Sequence, residues 1–280
     1  MNTFQKVIKY TAMAIGILLA VGIVSGIVGL VKMAVSFFGD SKAYEEGNNI
    51  NIVREFEHVE QLDIKNGVGK LIIKAGDGFK VEGTNVSKNF KANVKNGTLY
   101  IEEEGFLKKF LWFNFGSSDI NPVITVYLPE DFTAQKIKID SGAGKVVMED
   151  VSTEKLIIKA GVGEINGYNI TANSVIGNGG VGDIDFSGVV FSDVDFDCGV
   201  GNLKIEGMIL GDSEFDCGVG NIDLYIKGSR EDYALRFDSS LGTMRVNGEK
   251  VSPNYKDTYK AAHTISIDGS VGNVNIEFSN

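Results

Sequence analysis

From residue 136 onward, apolar and polar positions alternate with period two, and the alternation breaks at fixed intervals on a short glycine turn. Gly142-Ala143-Gly144, Gly161-Val162-Gly163, Gly180-Val181-Gly182, Gly199-Val200-Gly201 and Gly218-Val219-Gly220 start 19 residues apart. Gly67-Val68-Gly69 is an earlier copy, and Ser240-Leu241-Gly242 and Ser270-Val271-Gly272 are degenerate later ones. The residue after each triplet is polar in all eight copies: Lys70, Lys145, Glu164, Asp183, Asn202, Asn221, Thr243 and Asn273. The next is apolar in all eight, as in Leu71, Val146, Ile184, Leu203, Ile222 and Val274. Ahead of the triplet stand a small residue, then a polar one, then an apolar one such as Ile64, Ile139, Phe196 or Phe215.

Period two on both sides of a glycine bend means strand, corner, strand. One such rung cannot bury its apolar face. Rungs stacked about 4.8 Å apart can, by setting Leu203 over Ile222 and Phe196 over Phe215. The pattern predicts an all-β, single-stranded β-solenoid (β-helix-like, with rungs of about 19 residues) over residues 58–280. Its first part is less regular. Val59–Lys74, Lys80–Ser87, Ala92–Glu103 and Val123–Leu128 read as strands, with Asn96-Gly97 as a turn. Between them Gly105–Ser118 interrupts the repeat.

The N-terminus follows another pattern. Thr11 to Val31 is a run of 21 uncharged residues. That is close to the ~20 needed to cross a bilayer core as a helix, and longer than the apolar core of a cleaved signal. Residues 1–38 are therefore expected to be a cytoplasmic stub and one transmembrane helix, and 39–57 a polar tether. Ala34-Val35-Ser36 loosely resembles a small-x-small cleavage site. Lys6 and Lys9 precede the helix, whereas Lys32 and Lys42 behind it are offset by Asp40, Glu45 and Glu46. The bias predicts a single-pass protein of the plasma membrane, N-terminus cytoplasmic and C-terminal domain extracytoplasmic.

Composition narrows the function. Of 280 residues 35 are glycine and only 3 proline, as a repeat with fixed glycine places requires and a linker does not. Residues 1–38 hold three lysines and no acid, so the rest carries 24 basic against 37 acidic side chains. So acidic a domain is a poor partner for nucleic acid, whose affinity comes largely from cations on phosphates.

The candidate chemistry is sparse. His58 and His263 lie near no nucleophile motif, and no catalytic residue, cofactor site or metal site is assigned. Asp185, Lys204 and Asp223 fall on successive outward rungs, the arrangement of a β-helix carbohydrate enzyme but equally of a cross-rung charge ladder, which is favoured. Asp197, Asp216, Asp238 and Asp268 share one column, where calcium would offset repulsion. Gly179-Gly180-Val181-Gly182-Asp183-Ile184, however, puts isoleucine where calcium-binding nonapeptides need aspartate, so a solvated acidic edge is preferred. Cys198 and Cys217 are expected as small core residues, because in-register parallel Cβ vectors suit a disulfide badly. Phe106, Phe110, Trp112, Phe113 and Phe115, with Lys108 and Lys109, form either a loop that contacts a bilayer or partner, or a cap on the first rung.

Three features resemble the bacterial "putative adhesin" family: Val123-Ile124-Thr125-Val126-Tyr127-Leu128-Pro129-Glu130, the stacked Gly-x-Gly copies, and the closing Val271-Gly272-Asn273-Val274-Asn275-Ile276-Glu277-Phe278. The resemblance covers roughly residues 50–280. It implies β-strand-repeat domains of unassigned function, often behind a membrane helix, and brings no catalytic or binding residues. Some relatives accompany envelope stress systems of Gram-positive bacteria. The expected function is a non-enzymatic cell-envelope surface module, adhesin-like or structural, that meets an envelope protein or glycan. Two alternatives stand beside it: a membrane-anchored regulatory partner of a stress-sensing system, and a carbohydrate-active β-helix enzyme.

Overall fold

The computed structural model describes residues 49–103, 122–238, 242–269 and 271–279. The expected membrane segment 1–38 lies outside them, as does the tether up to residue 48. Among the described residues no helix is long and apolar enough to cross a membrane. The chain there is all-β, apart from a single 3-10 turn at Arg230–Asp232.

The regular part of the stack is as the period demands. β8 (Lys136–Val181) runs through two Gly-x-Gly corners and ends in a third. After it come β9 (Ile184–Ser192), β10 (Val194–Val200), β11 (Leu203–Leu210), β12 (Asp212–Val219) and β13 (Ile222–Lys227). Pairing is parallel and in register at a shift of 19 residues: Phe196 beside Phe215, Leu203 beside Ile222, Ile205 beside Leu224. Inward side chains alternate with outward ones. Phe186, Phe196, Phe215, Leu203, Ile222 and Leu224 are all buried. Each is worth about 2–3 kcal/mol of apolar burial, so the inner columns account for the preference of this sequence for stacked rungs.

A second corner column uses no fixed glycine. Asp150, Asn169 and Gly188 stand 19 residues apart at φ 54°, 52° and 67°. Asx residues enter this left-handed region at tolerable cost, because their short polar side chains bond locally. Here Asn169 Nδ2 donates to Asp150 Oδ1 at 3.0 Å.

The two ends depart from the simple order. β1 (Asn49–Phe56) precedes β2 (Gln61–Gly76), which is followed by β3 (Phe79–Ser87), β4 (Lys91–Lys95), β5 (Thr98–Glu103) and β6 (Val123–Pro129). β2 lies between β8 on one side and β5 with β6 on the other, all parallel. The rung formed by β5 and β6 is thus outermost, although it follows β2 in sequence. Antiparallel strands cover it: β4 pairs β5 through the Asn96-Gly97 turn, β3 pairs β6, and β1 pairs β3. Asn49–Phe56 is therefore a cap strand, and the expectation of a tether reaching residue 57 is corrected to this extent.

The C-terminal end repeats the device. Past β13 run β14 (Tyr233–Asp238), β15 (Met244–Val246), β16 (Glu249–Val251), β17 (His263–Asp268) and β18 (Val274–Ser279). β17 pairs β12 on one side and β14 on the other; β18 lies likewise between β13 and β15. The last copy of the repeat is inserted before the one that precedes it in sequence, which corrects a strictly sequential stack. β16 then covers β15 antiparallel. An unpaired parallel edge would template further strands, and antiparallel hairpins close it.

Candidate functional site

The glycine corner is the most regular surface feature. Gly201 and Gly220 hold φ of +147° and +150°. A Cβ on either would fall on the carbonyl oxygen of the glycine one rung below, Gly182 or Gly201. Except at Val271, which follows Ser270, glycine stands on both sides and the middle residue has no neighbouring side chain along the chain to cover it. Val162, Val181, Val200, Val219 and Val271 are accordingly 47, 40, 38, 39 and 46 % exposed. The column is continuous: Val181 pairs Val200, Val200 pairs Val219, and Val219 bridges Val271. The result is a straight apolar edge parallel to the stacking axis.

Toward the N-terminal end the edge closes. Ala143 at the same position is buried and Val68 half-buried. In the outermost rung Asn66 pairs Glu103 and Lys70 pairs Val123, so residues 104–122 take the place of a Gly-x-Gly corner. Pro122, where that insertion returns, accepts a 2.8 Å bond at its carbonyl from the Lys70 N–H. Phe106, Phe110, Trp112, Phe113 and Phe115 lie in the insertion, outside the described residues.

Two polar columns flank the edge. On one side run Asn178, Asp197, Asp216, Asp268 and Asp238 in consecutive register. Asp195 and Glu214 stand next to them on the same outward face. Arg236, whose guanidinium is 3.3 Å from Asp238, is the basic side chain at that end of the neighbouring column. On the other side the residues after the corner build an amide ladder. Asn202 Nδ2 donates to Asp183 Oδ1 at 2.9 Å, and Asn221 Nδ2 to Asn202 Oδ1 at 3.1 Å. Asn273 Nδ2 donates to Asn221 Oδ1 at 3.3 Å, and the Thr243 N–H ends the series on Asn273 Oδ1 at 3.2 Å. Each backbone N–H in the series also donates to the neighbouring side chain.

The remaining candidates resolve as structure. Lys204 Nζ is 3.6 Å from Asp185 Oδ2, and Asp223, one rung on, has its carboxyl pushed up by burial while Lys204 draws it down. That is the charge ladder of the sequence reading. His263 Nδ1 accepts the Gly211 N–H at 3.0 Å beneath the Tyr233 ring, and His58 sits in a turn at φ 56°. No group of three or more His, Cys, Asp or Glu side chains among the described residues could hold a metal ion, the aspartate column included. Cys198 and Cys217 occupy the buried small-residue column, with Cα atoms 4.3 Å apart and their sulfurs facing each other one rung apart.

Two polar clusters escaped the sequence reading. At the C-terminal cap Asp257, its side chain 7 % exposed, accepts from Arg230 Nη2 at 2.6 Å, Tyr255 Oη at 2.7 Å and the Leu235 N–H at 2.8 Å. Burial pushes the Asp257 carboxyl up, but these donors outweigh it and hold it below the usual range. At the other end a cleft of about 790 Å³ is lined by Phe56, Lys74, Phe79, Lys80, Val94 and Tyr127 among others. There Tyr127 donates to Glu82 at 3.0 Å and Lys80 pairs Glu82 at 2.9 Å. The bond to Glu82 raises the Tyr127 hydroxyl, and Lys80 and Tyr127 together lower Glu82. Arg230 and Asp257 are 27 residues apart and Glu82 and Tyr127 are 45 apart, so the pairs that close the two clusters leave no local sequence signal.

Comparison with known proteins gives a family without a chemistry. No curated protein matches the sequence. Among solved structures, a "putative cell adhesion protein" from Clostridium sporogenes is 18 % identical, with a TM-score of 0.40, over 82 % of this chain and 100 % of its own. A "putative adhesin" from Bacteroides fragilis is 16 % identical, with a TM-score of 0.43, over 82 % and 98 %. A "putative lipid binding protein" from Parabacteroides distasonis is 14 % identical, with a TM-score of 0.39, over 84 % and 98 %. The Toastrack DUF4097 family profile matches residues 59–216, more than half of the chain, and the chain belongs to that family.

Proposed function

We propose that this chain is a non-enzymatic cell-envelope module, held at the membrane by residues 1–38, whose solenoid-like stack presents the valine edge to a macromolecular partner. One observation carries the reading. Of eleven large apolar side chains exposed among the described residues, five stand in this single column. Scattered exposed apolar residues are ordinary, but an ordered row of them marks an interaction surface. The outward charges support the absence of catalysis, because Lys138–Asp63, Lys145–Glu164 and Lys204–Asp185 pair across rungs. The uncharged run Thr11–Val31 and the lysines before it support the anchor and its orientation.

The test is site-specific photocrosslinking in native cells, with the probe at Val200 and a control probe at exposed Glu249 on the cap. A discrete adduct at Val200 and none at Glu249 supports the module. Equal labelling at both, or none at Val200, refutes it.

A further inference from the structure

The valine edge is asymmetric in charge, and the asymmetry specifies what can lie on it. Along Val200, Val219 and Val271 the flank ahead of the corner carries Asp197, Asp216 and Asp268, with Asp195 and Glu214 beyond. Asp195, Asp197, Glu214 and Asp216 are all exposed, and none is in an ion pair among the described residues. The flank after the corner is neutral, because Asn202, Asn221 and Asn273 spend their amides on one another. A partner with apolar groups on the valines therefore meets uncompensated negative charge on one side only.

The spacing selects the partner's backbone. Valines repeat about every 4.8 Å along the axis. An α-helix presents one stripe of side chains per turn of about 5.4 Å. Over the four steps from Val162 to Val271 the accumulated misfit is roughly 2.4 Å, less than half a turn. An extended strand repeats on one face every ~6.8 Å and is out of step after two or three valines.

We infer that the edge receives a basic amphipathic helix, its apolar stripe on Val200, Val219 and Val271 and its lysines or arginines over Asp197, Asp216 and Asp268. This rests on the proposed role of the edge and adds the sign and the shape of the partner. Nearby unpaired carboxylates speed the encounter with such a helix and exclude acidic ones. The apolar row supplies the affinity that charge in water does not.

The test uses the full-length chain in zwitterionic nanodiscs, with empty nanodiscs as the blank. The probes are three synthetic 18-residue peptides: a helix with a leucine stripe and lysines elsewhere, its glutamate twin, and a scramble of the first that has no stripe. The lysine helix is expected to bind and to weaken at least tenfold between low and physiological salt. Asp197→Asn/Glu214→Gln/Asp216→Asn should weaken it at least fivefold, and Val181→Ser/Val200→Ser/Val219→Ser at least tenfold. Val200→Gln alone decides if the triple valine variant melts early. Equal binding of the scramble, or full binding to the valine variant, shows a cation-exchange surface and overturns the inference. Equal binding of the glutamate twin, or full binding to the acid variant, overturns the charge assignment. No binding by any peptide overturns the inference as a whole. The crosslink at Val200 in cells is read separately, so these failures leave the role of the edge standing or falling on its own result.

Discussion

The two halves of the stack share one interior and differ in their surfaces. In the N-terminal half the column ahead of the corner reads Glu102, Lys65, Asp140, Lys159 across neighbouring rungs, with alternate signs. In the C-terminal half the same column reads Asp197, Asp216, Asp268, Asp238. After the corner, Lys145 and Glu164 pair in one half, whereas Asn202, Asn221 and Asn273 form the amide ladder in the other. The corner itself is occupied by half-buried Val68 and buried Ala143 in the first rungs and by exposed valines from Val162 onward. A stack of in-register strands puts like positions about 4.8 Å apart, so every outward column must manage its own charge. The N-terminal half neutralises it within the fold. The C-terminal half leaves acid unneutralised beside an open apolar edge.

The largest effects should test that the interior is shared. Phe215→Ala is expected to cost about 3–5 kcal/mol and Ile64→Ala about 2–5 kcal/mol in chemical unfolding. Both should shift one common transition; two separated transitions would show that the halves fold independently. Next in size is the C-terminal cap. Asp257→Asn breaks a nearly buried ion pair and should cost about 3 kcal/mol near neutral pH. Its sign with pH is fixed, because the folded carboxyl titrates below its unfolded value of about 3.9. Its contribution is complete above that value and is lost as pH falls through the folded one. Melting from pH 6 down to about 2 should show the gap between wild type and variant closing at the acid end. A constant gap would remove Asp257 from the acid response.

Smaller effects separate the surfaces. Asn221→Ala should cost about 1–2 kcal/mol, since Asn273 loses its acceptor and Asn202 a donor. Lys145→Ala, which removes an exposed pair in the same column, should cost no more than about 0.5 kcal/mol. Equal costs would mean that the amide ladder is ordinary surface. Smallest, and opposite in sign, are two isosteric changes. Asp216→Asn should stabilise by a few tenths of a kcal/mol by relieving like-charge stacking, and Asp140→Asn should destabilise by as much. Both shifts should shrink in 1 M salt; the same sign for both would refute the division of the stack.

Much of this was legible in the chain. The 19-residue period and the fixed inward columns are local regularities, and they emerged as in-register rungs. Four candidate strands near the start and the Asn96-Gly97 turn emerged as β2 to β6. The Asp150, Asn169, Gly188 corner was also present in the spacing, but Asx residues at positive φ carry no glycine signature. The valine edge was visible as a column, yet nothing in a residue's own letter shows that its corner faces water.

The sequence by itself determined the rung: its length, its glycine corner, and which side chains point inward. Those follow from φ/ψ limits and the period of a strand, both set within a few residues. Only the tertiary structure decided the order of rungs at the ends, the cap strand 49–56, and the placing of the valine edge beside an acid column. Near-identical strands can pair with any of their kind. Which one becomes the neighbour is therefore chosen by the antiparallel caps and by the long-range stack, not by local preference.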